Sequence, residues 1–131
     1  TGVQTCALPI SRLPKETNEQ QTARQAAMEA ATYYAAQVPF KTVEVCIEVM
    51  KLAVSAAKYG NLNAISDALS AVHLSCAALK CAAANVRVNV QSLMNPIPAQ
   101  DMLKSTEDMI NIAEKYEIDT LKVFSQRSGV K

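Results

Sequence analysis

His73 is the only histidine in the chain, so it is the first residue to test for acid–base or metal chemistry. Di-iron carboxylate bundles carry Glu-x-x-His motifs on facing helices, and here the residue three positions earlier is Ser70. The sequence therefore excludes that class of enzyme. One histidine offers a single candidate base, and a histidine with a satisfied hydrogen bond in a core or groove is the commoner role.

Polar residues recur through the otherwise apolar stretch 64–93. The 3.6-residue helical period places them on two faces. The first face carries Ser66, Ser70, His73, Lys80 and Arg87, and the second carries Asn85, Asn89 and Ser92. Burying such a group costs about 1–3 kcal/mol unless it finds a partner. These side chains therefore either pair between helices or across a dimer contact, or line a cleft that binds a ligand.

A tight polar corner is predicted between Tyr59 and Asp67. Gly60 suits the C′ position of one helix, while Asn63 can cap the next helix and Asp67 complements its dipole. Helix capping alone accounts for this composition. The same loop could also offer free amides to an anion at the helix N-terminus.

Three cysteines lie beyond the first ten residues: Cys46, Cys76 and Cys81. Their odd number and irregular spacing argue against a disulfide framework and favour a reducing compartment. Cys76 and Cys81 lie about 140° apart around a helix, so they do not converge on a metal ion. We predict that all three are small buried hydrophobes and that the chain has no metal site.

The elements that must position these residues are helices. Half of the residues are hydrophobic, 19% are charged, and Gly and Pro are scarce, which favours an all-α domain. We predict an up-and-down antiparallel bundle of about four long helices. They cover about 18–38, 39–59, 64–93 and 99–126. Thr17 and Gln20 form a capping box at the first, and Pro39 separates the first from the second.

Each predicted helix has an assigned apolar face. The first uses Ala23, Ala27, Ala30, Ala31 and Tyr34; the second uses Val43, Cys46, Ile47, Met50, Ala53, Val54 and Ala57. The fourth uses Met102, Met109, Ala113, Tyr116 and Val123 or Phe124. The third helix is apolar almost all round, so we expect it to be central.

The charge balance and hydropathy limit the partners of this chain. A net charge of +1 gives no electrostatic footprint for nucleic acid or for an anionic membrane. The longest uncharged helical stretch, 68–79, is shorter than the ~20 apolar residues that a membrane span needs. We therefore predict neither a nucleic-acid nor a membrane partner.

The two ends of the chain are expected to lie outside the fold. Residues 1–11 resemble the translation of a common sequencing-adapter oligonucleotide, and we interpret them as an artefact. The helical domain is predicted over residues 12–126, followed by a frayed tail at 127–131.

Four motifs occur in an order that resembles the cyclodeaminase/cyclohydrolase family. They are Leu13-Pro14-Lys15, Val38-Pro39-Phe40, Gly60-Asn61-x-Asn63-x-x-Ser66-Asp67 and Asn85-Val86-Arg87-Val88-Asn89. The family includes the C-terminal cyclodeaminase domain of formiminotransferase-cyclodeaminase and stand-alone methenyltetrahydrofolate cyclohydrolases. The resemblance runs from Arg12 to about Gln126.

This resemblance implies a helical domain that dimerises and binds a tetrahydrofolate derivative as its substrate, with no cofactor. The cysteine pattern separately predicts a cytoplasmic location. It implies either ring closure with loss of ammonia or hydrolysis of the methenyl bridge, both of which need a positioned proton shuttle. Folates combine an apolar pteridine with carboxylates, so apolar walls and a few polar donors should line the site. The candidate substrate-binding residues are Asn61, Asn63, Ser66, Asp67, Lys80 and Arg87.

The chain departs from the family pattern at its start. Family members carry a Gly-rich loop and an Asp-bearing helix before the Leu-Pro-Lys segment, and that Asp is their proposed catalytic residue. Here residues 1–11 stand in that place. We therefore assign no catalytic residue within this chain and expect the fragment alone to be inactive. The alternative is a non-catalytic helical interaction or dimerisation module.

Overall fold

The computed structural model describes residue 10 and residues 12–129. Three long helices follow one another: α1 spans Asn18–Tyr59, α2 spans Ile65–Gln91, and α3 spans Gln100–Ser128. Short 3₁₀ turns at Leu62–Ala64 and Ile97–Ala99 precede α2 and α3. No β-strand occurs among the described residues. The all-α prediction is thus confirmed, but three long helices replace the expected four.

The first two predicted helices are one continuous helix, because Pro39 lies inside α1 without ending it. Proline has no N–H and therefore leaves the carbonyl four residues earlier, that of Ala35, without its helical donor. The side-chain amide of Asn89 on α2 donates to that carbonyl oxygen at 3.0 Å. This hydrogen bond from a neighbouring helix replaces the one that Pro39 cannot make. The residues around Pro39 could not indicate it, because the donor lies fifty residues further along the chain.

The beginning of α1 follows the prediction. The Thr17 hydroxyl accepts from the Gln20 N–H at 3.2 Å, and the Gln20 side chain accepts from the Thr17 N–H at 3.2 Å. This is the expected capping box. The predicted apolar face between Ala23 and Tyr34 is wrong, however, because residues 18–30 contain no buried side chain and Tyr34 is 58% exposed. α2 ends opposite the middle of α1, so these first turns extend beyond their partner helix.

The core lies between the second half of α1 and the other two helices. All seven residues predicted for this face of α1 are buried: Val43, Cys46, Ile47, Met50, Ala53, Val54 and Ala57. They pack against Val72, Cys76 and Leu79 of α2 and Ala113 of α3. The three helices contact one another in all three pairs, so α2 is not distinguished as a central helix. A second cluster around Val86, Val90 and Met102 closes the far end.

α3 buries two threonines that the hydrophobic pattern does not indicate. Thr106 and Thr120 are 0% and 1% exposed. Their hydroxyls donate to the carbonyls one turn earlier, at 2.7 Å to Met102 and 2.6 Å to Tyr116. This local bond satisfies each hydroxyl, so threonine can stand in a core. Met102 and Ala113 are buried as expected, whereas the other residues assigned to this face are only partly buried.

The C-terminal end of α3 is longer than the sequence indicates. α3 continues to Ser128 and ends at Gly129, whose φ of 72° is a left-handed helix cap. Arg127 and Ser128, which the sequence places in a frayed tail, are therefore helical. The residues interpreted as an adapter artefact lie outside the described residues, apart from Ile10.

Among the residues that the structure describes, one helix is long and apolar enough to cross a membrane by length and composition alone: α2 with its preceding turn, 62–91. This stretch is longer than the uncharged segment 68–79 that the sequence analysis considered. The central helix of a soluble bundle meets the same criterion, and α2 packs against both α1 and α3. Only three charged residues interrupt this stretch: Asp67, Lys80 and Arg87.

Candidate functional site

The polar corner joins the end of α1 to the start of α2. Gly60 has an extended backbone, with φ −77°, so the left-handed C′ conformation expected for it is not adopted. Glycine is needed there for a different reason. A Cβ at this position would lie 2.5 Å from the Ala56 carbonyl oxygen, and the Gly60 N–H donates to that same oxygen at 2.8 Å. The close approach therefore excludes any side chain.

Arg127 of α3 braces this corner from a third helix. Its guanidinium donates to the carbonyl oxygen of Ala57 at 2.5 Å and to that of Gly60 at 3.0 Å. Both carbonyls belong to the end of α1, where helical partners are missing and a cation is favoured by the helix dipole. Sequence analysis missed this role because the contact spans about seventy residues of chain. The only local signal was a basic residue near a helix C-terminus.

The four corner residues proposed from the sequence are brought together and are all exposed: Asn61, Asn63, Ser66 and Asp67. The Asn61 side chain accepts from the Asn63 N–H at 3.0 Å and caps the 3₁₀ turn. The expected cap by Asn63 is wrong, since Ala64 occupies the N-cap of α2. Within the described chain, the side chains of Asn63, Ser66 and Asp67 make no hydrogen bond and are open to solvent.

The two cations proposed from the sequence both face α3. Lys80 Nζ lies 3.1 Å from Glu114 Oε1, and this hydrogen-bonded carboxylate raises the pKa of Lys80. Arg87 donates from Nε at 2.9 Å and from Nη2 at 2.6 Å to one oxygen of Glu107. Pairing between helices, one of the roles expected for this face, is thus the one observed. Each side chain remains about half exposed.

His73 lies on the same face of α2, about two turns before Lys80. Its Nδ1 is 2.7 Å from Glu117 Oε1, and this hydrogen bond lowers the pKa of the Glu117 carboxyl. The second oxygen of Glu117 accepts from the Cys76 thiol at 3.6 Å. Burial, with a smaller effect of Glu117, raises the pKa of Cys76. Such a thiol stays protonated and is a poor nucleophile, whereas a carboxylate-oriented imidazole can relay a proton.

The prediction that all three cysteines are buried is wrong for one of them. Cys46 and Cys76 are buried, but Cys81 is exposed on α2, and all three are free thiols. No group of three or more His, Cys, Asp or Glu side chains is placed to hold a metal ion in the part of the chain that the structure describes. The exposure of Cys81 follows from its helix position, because it points away from both α1 and α3.

The two halves of the proposed site lie far apart. Asp67 and Arg87 are twenty residues apart on α2, which corresponds to about 30 Å along the helix. Lys80 lies about 20 Å from Asp67 by the same measure. One chain therefore does not bring the corner and the two cations onto one small ligand. The corner is the more open of the two places, since both cations already hold a carboxylate.

The fold and the corner define an all-helical antiparallel bundle with a polar helix-to-helix turn at one end. A family model described as formiminotransferase-cyclodeaminase matches residues 7–108. Because this match covers most of the chain, the protein belongs to the formiminotransferase-cyclodeaminase family. The family indicated by the four sequence motifs is therefore confirmed.

A curated relative supports the same assignment. The chain is 43% identical over 98 residues to a protein named methenyltetrahydrofolate cyclohydrolase from Methylorubrum extorquens. The match covers 75% of this chain and 47% of the relative. The chain therefore spans about half the length of the curated relative that it matches.

Proposed function

We propose that this chain is part of an enzyme that hydrolyses the methenyl bridge of methenyltetrahydrofolate. The observation that carries the proposal is the 43% identity to a methenyltetrahydrofolate cyclohydrolase. In this reaction water adds to the methenyl carbon between two nitrogens. A proton then moves to one nitrogen, the ring opens, and formyltetrahydrofolate results. No electron leaves or enters the folate, so the step needs a positioned acid–base group and no redox cofactor.

A second reaction is favoured by the family's own description, formiminotransferase-cyclodeaminase. There N10 of formiminotetrahydrofolate attacks the formimino carbon, and ammonia leaves to give the methenyl form. Both reactions pass through a tetrahedral carbon between two nitrogens. The family match supports either enzyme over the non-catalytic interaction module that the sequence alone left open.

Within this portion of the enzyme, the corner is the better candidate for folate contact. Asn63, Ser66 and Asp67 are exposed and hold no partner in the described chain, so a ligand displaces only water there. Lys80 and Arg87 would have to share their α3 carboxylates with the folate. Arg87 retains free N–H donors after its bonds to Glu107, so it can still bind a carboxylate.

The remaining expectations stay part of the proposal: a homodimer in the cytoplasm, with folate as the only small-molecule partner. We assign no catalytic residue within residues 12–129 to the role of the Asp proposed as catalytic in the family. His73 with Glu117 is a hydrogen-bonded acid–base pair in this part of the chain. We therefore expect the chain as given to show no turnover of methenyltetrahydrofolate, which a spectrophotometric assay of the methenyl chromophore would measure.

The test of folate contact uses the complete protein that contains this chain. Asn63→Ala and Arg87→Ala should each raise the folate dissociation constant by the loss of one or two polar contacts, about 1–3 kcal/mol. Lys122→Ala on the outer side of α3 is the matched control and should bind normally. Release of ammonia from formiminotetrahydrofolate would identify the cyclodeaminase. If both variants bind folate normally, or if both simply unfold, the corner and Arg87 have structural roles only.

A further inference from the structure

A series of covalent and hydrogen bonds connects the C-terminal end of α3 to the polar corner between α1 and α2. Arg127 donates from Nη1 to the carbonyl oxygen of Ala57 at 2.5 Å and from Nη2 to that of Gly60 at 3.0 Å. The next residue after Gly60 is Asn61, whose side-chain oxygen accepts from the Asn63 N–H at 3.0 Å. The guanidinium is thus connected, through Gly60 and Asn61, to one of the candidate folate contacts.

Arg127 spans the step from the last turn of α1 to the loop. Ala57 is buried within α1, whereas Gly60 follows the helix and is exposed. The guanidinium is a rigid planar fork, so binding both carbonyls at once fixes the direction of the Gly60 carbonyl relative to the end of the helix. The contact therefore sets where the chain leaves α1, in addition to neutralising carbonyls that lack a helical donor.

Packing contributes little to the conformation of the corner itself. The 3₁₀ turn Leu62–Ala64 buries no side chain, and residues 61–64 are all exposed. A segment with few buried contacts opens locally at a low free-energy cost. A ligand that binds such a segment has to order it first, which weakens binding, so hydrogen bonds that order it in advance raise the affinity.

We propose, resting on the folate contact proposed above, that Arg127 is a positioning residue for substrate binding at the corner. It orders the corner through Gly60 and Asn61, so that Asn63 is in place before the folate arrives. Arg127 itself does not touch the substrate, and it acts on affinity only through the corner. It lies outside residues 7–108, the part that the family model matches, so that match gives it no role.

Amide hydrogen exchange of the chain as given tests the ordering step without any folate. Arg127→Ala should speed exchange at the N–H groups of Asn63 and Ala64 at least about tenfold, because the corner then opens more often. The N–H groups of Met94 and Asn95, in the loop at the other end of the bundle, are the control and should exchange as in the unaltered chain. Unchanged exchange at the corner would overturn the proposal, and so would an equal increase in both loops.

Folate affinity of the complete protein that contains this chain tests the functional step. Arg127→Ala should raise the folate dissociation constant about tenfold, the effect of one lost ordering contact. Arg127→Lys keeps the cation without the planar fork, so its dissociation constant should fall between the two. The control for lost stability is Val43→Ala, which leaves a cavity in the buried core about 20 Å along α1 from Ala57 and should bind folate normally. Equal weakening by Val43→Ala would overturn the proposal.

A double-mutant cycle with Asn63→Ala decides whether Arg127 acts through the corner. If it does, Arg127→Ala should weaken folate binding much less once Asn63 is already alanine. Independent effects of the two changes, or normal folate binding by Arg127→Ala, would overturn the positioning role while hydrolysis of methenyltetrahydrofolate by the complete protein stands. A complete protein that binds folate but neither hydrolyses the methenyl bridge nor releases ammonia would instead overturn the proposed function. Absence of folate binding would overturn both.

Discussion

Replacing Asn89 with alanine should destabilise the protein because it removes the donor that replaces the missing N–H of Pro39. The Asn89 amide lies 3.0 Å from the Ala35 carbonyl oxygen, and Ala35 is only 8% exposed, so water reaches this carbonyl poorly. A buried acceptor without a partner costs about 1–3 kcal/mol. We expect the free energy of unfolding to fall by about 2 kcal/mol, in the middle of that range.

A double-mutant cycle separates this bond from ordinary packing. Pro39→Ala restores a backbone N–H that can donate to Ala35, so Asn89→Ala should cost much less in that background. The coupling between the two changes should be about 1–2 kcal/mol. The matched control is Asn85→Ala. Its side chain donates at 3.0 Å to Cys81 within α2 on an exposed face, and its loss should cost under about 0.5 kcal/mol.

Urea unfolding followed by circular dichroism gives all of these free energies, provided that one protein concentration is used throughout, since association adds to apparent stability. The reasoning fails if Asn89→Ala costs the same with Pro39 and with alanine at that position. It also fails if the exposed control is as costly as Asn89→Ala. Either result would mean that α1 continues through proline without help from α2.

Three other changes test contacts between helices. Arg127→Ala should lower the free energy of unfolding by about 1.5–3 kcal/mol, because it removes charge-assisted bonds to the end of α1, while Lys122→Ala changes it little. The hydrogen bond to His73 lowers the pKa of Glu117 in the folded state. This bond therefore stabilises the protein fully at pH values above the ordinary carboxyl pKa of about 4.3. The stabilisation is lost as the pH falls through the folded-state pKa. Glu117→Gln should flatten that acid limb in pH-dependent melts. The Glu29 carboxylate accepts hydrogen bonds at 3.0 Å from the N–H groups of Met94 and Asn95, in the loop between α2 and α3. Glu29→Gln should therefore increase amide exchange at these two N–H groups. Unchanged protection would mean that these hydrogen bonds do not hold the loop.

The spacing of hydrophobic residues, the composition and the capping residues were enough to predict much of the local structure. The helix class, the start of α1 at its capping box and the seven buried residues between Val43 and Ala57 all follow from period, composition and capping. These features depend on residues within one or two turns of each other.

The family assignment was likewise within reach of the sequence, because four short motifs keep their order in a single chain. The sequence did not indicate which groups the motif residues contact. Asn89 belongs to one of these motifs, yet its observed contact is with the backbone of α1 rather than with a ligand. Arg87, in the same motif, holds Glu107. A motif records which residues occur together, but not which of them bind the substrate.

The tertiary structure alone decided the continuity of α1, the brace at the corner and the partners of the polar face. Pro39 is a helix breaker by every local criterion, and only an amide from another helix makes it tolerable. Arg127 acts across seventy residues, and Lys80 meets Glu114 only because α2 and α3 adopt one rotation and register. Local sequence sets which side of a helix is apolar. The relative rotation and register of packed helices depend on the whole core, so contacts between helices do not follow from periodicity within any one of them.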